Sequence, residues 1–223
     1  MGNQALPRIK LYHYWRSSSS WRVRWAFAIK GIACEYVPVN LLNGESESPE
    51  HRARNPLGYV PVLEFLPEHG TPEKSRYLCE STAIIEWTEE SVQEPSILTG
   101  DLFLRAKTRM LAQVINADTQ PLQNPNTLEY YSDDPEMKKT WARHWIQSGL
   151  GAYEQLVKET AGRFSVGDQL SLADLCLIPQ CYNAERFQVG LESYPTIQRI
   201  YQEASQTESF KASHPSRFEP RAS

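Results

Sequence analysis

The chain has 223 residues, 22% charged and 40% hydrophobic, with 23 Lys+Arg against 27 Asp+Glu for a net charge of −4. That length gives one large domain or two small ones with a sizeable core, and the mildly acidic balance excludes the basic face of a nucleic-acid binder. No apolar run approaches the about 18 residues of a membrane span, and the start MGNQALPRIK lacks a signal-peptide core, so neither a membrane partner nor export is expected. The segment 9–14 alternates β-branched and aromatic residues and predicts a strand, and 20–30 predicts a helix with a hydroxyl-rich start and Gly31 as its stop. Residues 35–40 predict a second strand that ends near Pro38, 43–56 a polar loop, 59–65 a third strand and 76–79 a fourth. A helix over 81–90 completes a βαβ–ββα unit over 1–91, a small α/β domain. The run QEPSILTG marks a linker over 92–100, and the remainder, 101–223, reads as all-helical. Amphipathic periodicity covers 102–117 and 141–157, the stretch 120–134 reads as loop, and Ser171 with Asp174 marks a further helix start. Cys34, Cys79, Cys176 and Cys181 form no CxxC pair and share no metal spacing with the five histidines, so free thiols, a reducing cytoplasmic setting and no metal are expected.

The chemistry-bearing residues cluster at the ends of the predicted elements. Ser17, Ser18, Ser19 and Ser20 stand between the first strand and the first helix, beside amides at the positive end of a helix dipole. That setting favours an anion, including a thiolate held by a serine hydroxyl; a loop with redundant caps explains the same serines. Arg22 and Arg24 lie two apart on the helix and face different sides, one towards the site and the other as a structural ion-pair partner. Val60-Pro61 opens the third strand, and a cis bond there would turn the Val60 backbone outward to pair with an extended ligand. Glu80-Ser81 opens the next helix with a carboxylate for an ammonium group and a hydroxyl plus amides for a carboxylate. Together these describe a site for a γ-glutamyl peptide. The histidines 13, 51, 69, 144 and 214 read as structural or solvent-facing, and Asp174 as a helix cap.

These residues resemble the glutathione transferase family, and within it the zeta class. The resemblance is carried by SSSSWRVR over 17–24, Asn55-Pro56, Val60-Pro61, Glu80-Ser81, PLQN over 121–124, NAERF over 183–187 and Ser213-His-Pro215, and it spans nearly the whole chain. It implies a thioredoxin-like N-terminal domain and an all-helical C-terminal domain, as a homodimer, with glutathione as cofactor. It implies that Ser17, with Ser18, acts on the glutathione sulfur, and that Ser18, Ser19, Ser20, Trp21 and Arg22 line that pocket. Val60 would pair with the cysteinyl backbone, and Glu80 and Ser81 would hold the γ-glutamyl end. Gln120, Asn124, Pro125 and Asn126 would close over the tripeptide. Arg186 would meet a substrate carboxylate, with Arg22 assisting catalysis. Three positions depart from the family pattern: Ser19 replaces the usual cysteine, Glu80 a common glutamine, and Ser46 another glutamine.

The implied activity is glutathione-dependent cis–trans isomerisation of a maleyl dicarboxylate in aromatic-acid catabolism. Two alternatives remain at this point: a transferase or dehalogenase acting on small α-halo acids or haloaromatics, and a non-catalytic glutathione-binding protein.

Overall fold

The computed structural model describes residues 6–67 and 74–220; His69 lies outside the described residues. The chain divides into two units, one running to Pro95 and resuming at Ser209, the other spanning Ser96–Glu208.

The first unit holds β1 (Ile9–His13), α1 (Ser18–Lys30), β2 (Glu35–Pro38), α2 (Pro49–Arg54), β3 (Val62–Phe65), β4 (Arg76–Cys79) and α3 (Ser81–Ser91). The sheet order is β2-β1-β3-β4, with β1 parallel to β2 and the other neighbours antiparallel. A parallel βαβ followed by an antiparallel ββα is the thioredoxin-like arrangement. Strand alternation divides the side chains between two faces. On one, the Phe65 ring meets Trp87 of α3 and His13 meets Arg24 of α1, so both long helices cover it. On the other, Arg54 lies over the Tyr12 ring at 4.2 Å and the Cys79 thiol approaches the Arg54 carbonyl at 3.5 Å, which places α2 there.

Helix α1 begins where the Ser17 side chain accepts from the Ser20 amide and ends at Gly31, whose φ of 65° suits a left-handed stop that a Cβ would strain. Every residue from Ser20 to Phe27 is buried, both arginines included. Lys30 in its last turn is tied to Glu89 at 2.5 Å and to the Val92 carbonyl at 2.6 Å.

The second unit contains α4 (Leu102–Asn116), α5 (Pro125–Tyr131), α6 (Pro135–Val157), α7 (Leu172–Arg186) and α8 (Pro195–Ser205), with α9 (Glu208–Ser213) crossing the division. Helix α4 packs on α6 and α7 around fully buried Leu111, Ile146, Leu150, Leu175 and Ile178. Buried Asp174 fixes the start of α7: it accepts from the Ser171 amide at 2.9 Å, the Ser171 hydroxyl at 2.7 Å and the Ser165 amide at 2.8 Å. Among the described residues no helix is long and apolar enough to cross a membrane.

Three expectations need correction. The segment 43–56 is not a simple loop, because Ser48 caps the His51 amide, Pro49 fits the first helical position, and α2 forms. The segment 120–134 likewise holds a 3-10 turn, Gln120–Gln123, and then α5. The stretch from Ser209 belongs with the first unit rather than with the helical one, because its polar and aromatic side chains pack on α1.

Candidate active site

Three segments of the first unit leave the sheet at one end. Tyr12 pairs with Val62, and Val62 with Cys79. The β1–α1 turn carrying Ser17, the Val60-Pro61 approach to β3 and the Glu80-Ser81 exit from β4 are therefore neighbours by register. Tyr14 packs against the cluster of Tyr12, Val39, Val60 and Val62.

Ser17 is partly exposed, and its oxygen accepts the Ser20 amide at 3.2 Å. A hydroxyl oxygen that accepts one hydrogen bond keeps its proton to donate, and accepting polarises that proton for a thiolate. No acidic side chain lies in the first turn of α1, so nothing within that turn neutralises the positive helix end. The cap reading is met by this oxygen, which keeps its proton free to donate.

The residues that follow differ in burial. Ser18 and Ser19 remain partly exposed, whereas Ser20 is 0%, Trp21 1% and Arg22 0% exposed. Ser20 faces the Tyr14 amide, Trp21 donates from its indole to Ser213 at 3.1 Å, and Arg22 reaches back to the Ser19 hydroxyl at 3.0 Å. Ser20, Trp21 and Arg22 are thus tied to the β1–α1 turn and to Ser213 by these bonds. Arg24 departs from the ion-pair expectation: it is buried, and among the described residues its partners are three backbone carbonyls, the Phe218 ring and His13 rather than a carboxylate.

Val60 is 8% exposed, yet among the described residues no hydrogen bond uses its amide or carbonyl. The preceding carbonyl, of Tyr59, accepts from His51 and from Asn55, each at 3.0 Å. In a trans peptide the carbonyl and the next amide point in opposite directions, so these two side chains turn the Val60 N–H away from α2. His51 and Asn55 were not predicted as site residues; the Asn55-Pro56 pair was the only signal. The Val60-Pro61 bond is cis.

Glu80 is exposed and adopts φ 67°, a left-handed conformation unusual for a residue with a side chain. It stands at the N-cap of α3 without capping through its side chain. Ser81 is 3% exposed, and among the described residues its hydroxyl and amide make no hydrogen bond. Strain of this kind persists only where the surroundings enforce it and gathers at ligand clamps.

The second unit holds the other expected residues. Gln120 opens the 3-10 turn and donates to Asn124 at 3.4 Å, while Pro125 and Asn126 are exposed at the start of α5. Arg186 is exposed in the last turn of α7 and donates to Asn183 at 3.4 Å. Asn183 donates to Gln123 at 2.9 Å, and Gln123 to Gln180 at 2.5 Å. This amide chain joins the segment of Gln120 to the helix of Arg186. Gln123 stood inside the PLQN motif without a role of its own and Gln180 carried no sequence signal, because a buried amide resembles an exposed one until its partners are known.

All four cysteines are free thiols. Cys181 is fully buried, and burial pushes its thiol well up, as it does for Cys79, where Glu80 adds to the effect. Neither is an activated nucleophile. Among the described residues no group of His, Cys, Asp and Glu is disposed to hold a metal.

The model of the glutathione S-transferase N-terminal domain matches residues 11–96, and that of the C-terminal domain residues 123–213. Maleylacetoacetate isomerase of Mus musculus is 42% identical over 209 residues, 93% of this chain and 92% of its own length. The zeta-class glutathione S-transferase of Euphorbia esula is 39% identical, over 94% of this chain and 91% of its own. Among solved structures, maleylacetoacetate isomerase of Anaeromyxobacter dehalogenans with glutathione in its active site superimposes with a TM-score of 0.87 at 45% identity, covering 97% of this chain and 98% of that one. The same enzyme with dicarboxyethyl glutathione and citrate in its active site gives 0.85 at 44%, covering 98% and 100%.

Proposed function

The chain belongs to the zeta class of the glutathione S-transferase family, and on that premise we propose that it is a glutathione-dependent cis–trans isomerase of a maleyl dicarboxylate, such as maleylacetoacetate or maleylpyruvate. The observation that carries this reading is the convergence at one sheet end of a helix-capping hydroxyl on Ser17 with, among the described residues, an unused peptide edge at Val60 and an unused hydroxyl and amide on Ser81.

That donor set fits glutathione. The Val60 amide and carbonyl suit an extended cysteinyl backbone. Ser81 at the start of α3 suits the γ-glutamyl carboxylate, and the exposed Glu80 carboxylate suits its ammonium. Glutathione held there would supply the thiolate nucleophile for reversible addition to the conjugated double bond, the chemistry that permits cis–trans rotation. Ser17 donates to the sulfur, and the amides of α1 favour its ionised form. Arg186 offers a bidentate cation for a substrate carboxylate. The chain thus contributes orientation and electrostatics, and the nucleophile comes with the cofactor. Dicarboxyethyl glutathione and citrate in the Anaeromyxobacter enzyme support the dicarboxylate class.

The protein works as a homodimer in the cytoplasm, where its four thiols stay reduced, within the breakdown of aromatic amino acids. The test is purified protein with maleylacetone, with and without glutathione. Trans product forms only with glutathione, whose concentration stays constant. Loss of glutathione in step with product moves the assignment to a transferase or dehalogenase, and turnover without it removes the mechanism.

A further inference from the structure

We propose that Arg24 is a positioning residue for thiol activation, seated by the C-terminal stretch 209–218, and that it acts by fixing the backbone turn that delivers Ser17. The proposal rests on the reading that Ser17 donates to the glutathione sulfur.

Arg24 is 0% exposed. Its guanidinium donates to the Trp15 carbonyl at 2.9 Å, the Tyr14 carbonyl at 3.4 Å and the Ser213 carbonyl at 3.3 Å, and meets His13 Nδ1 at 3.1 Å. The Phe218 ring lies 4.5 Å from its central carbon. Among the described residues no carboxylate balances the charge. Burial pulls the Arg24 pKa down to about 9, so it stays cationic at neutral pH. His13, Tyr36 and His214 are the titratable groups that feel this charge; burial first, and this charge second, hold both histidines towards the neutral form.

An unpaired buried cation is a costly way to fill space, and an apolar side chain of similar volume fills it without that cost. What the guanidinium adds is a rigid fork of donors. The fork spans two backbone segments far apart in sequence: Tyr14-Trp15 at the end of β1, and Ser213. The Tyr14 carbonyl also accepts the Ser17 amide at 3.1 Å, so one oxygen is shared by Arg24 and the residue that bears the site hydroxyl. The other anchor is held independently. Trp21 donates to the Ser213 hydroxyl at 3.1 Å and Trp25 to the Ser209 hydroxyl at 3.0 Å, while Phe210 packs edge-on against both indoles. Arg24 therefore transfers the fixed position of the tail to the turn before Ser17. Displacement of a reacting group by a fraction of an ångström is enough to cost rate.

The experiment is a double-mutant cycle on the full chain, read by ultraviolet titration of the thiol of bound glutathione. Arg24→Met weakens the acidity of that thiol about tenfold. It leaves the glutathione dissociation constant within about threefold, because Val60 and Ser81 still hold the peptide. In a Ser17→Ala background the same change has no further effect on the thiol. Phe218→Ala removes only the ring beside the guanidinium; it weakens the acidity in the same direction and also loses its effect without Ser17, so it carries the test if Arg24→Met does not fold. Equal effects with and without Ser17, or no effect of either substitution, overturn the proposal while leaving the Ser17 reading intact. An unchanged thiol in Ser17→Ala alone removes that reading, and the proposal with it.

Discussion

At the scale of single residues, one oxygen of Ser17 caps α1 and, in the proposed function, also serves the chemistry. Ser17→Ala removes the cap of α1 and should cost about 1 kcal/mol of stability. Removing the donor to the sulfur should lower turnover on the order of a hundredfold. Denaturant melts and steady-state rates separate the two effects; wild-type turnover in the variant removes Ser17 from the mechanism. His13 gives a pH-dependent expectation. Burial first, then Arg24, lower its pKa from 6.5 to about 3. Below pH 6.5 the unfolded chain takes up a proton that the folded chain refuses until about pH 3. The contribution of His13 to stability is therefore complete above pH 6.5 and is lost progressively towards pH 3, at up to about 1.4 kcal/mol per pH unit. His13→Asn keeps a polar partner for Arg24 and should flatten this part of the profile in chemical denaturation at stepped pH.

At the scale of elements, short pieces carry more of the site than their sequence shows. Strands β3 and β4 and helices α1, α3 and α4 were legible because alternation, caps and amphipathic faces repeat over several residues. Helix α2 was not: six residues make under two turns, and PEHRAR offers no apolar stripe to read. Yet His51 within it and Asn55 at its end orient the peptide of Val60. Asn55→Ala loses the bond to the Tyr59 carbonyl and the bond from the Leu57 amide. It should destabilise the fold by about 2 kcal/mol and weaken glutathione binding several-fold, with little change in the acidity of the bound thiol. Calorimetric titration checks this: unchanged affinity would show that the Val60 edge does not depend on α2. Helix α5 escaped notice for the same reason of length. Gln123 and Asn183 stood inside quoted motifs, but their bond joins residues 60 apart, and only folding reveals it.

At the scale of the whole molecule, two halves of different character were readable from the change in periodicity near the linker. The return of the chain at Ser209 was not readable, because the partners Trp21 and Ser213 are 192 residues apart. The apolar surface bears on assembly. Leu102 is 83% and Phe103 71% exposed at the start of α4, and Leu57 is 57% exposed ahead of β3. Apolar side chains this exposed suit burial against a second copy. Light scattering should give twice the 25.6 kDa chain mass, and Phe103→Glu should shift the protein towards the single chain. A monomeric wild type would remove the dimer from the proposed function.

The path of the chain also governs when the first unit can be completed. Translation delivers β1 through α3 early, then all of the helical unit, and last the serines that accept the Trp21 and Trp25 indole protons. Until those serines leave the ribosome, both indoles lack their native cover, and the nascent first unit carries an adhesive face through most of its synthesis. Transiently exposed apolar surface of this kind is the general hazard that chaperones meet.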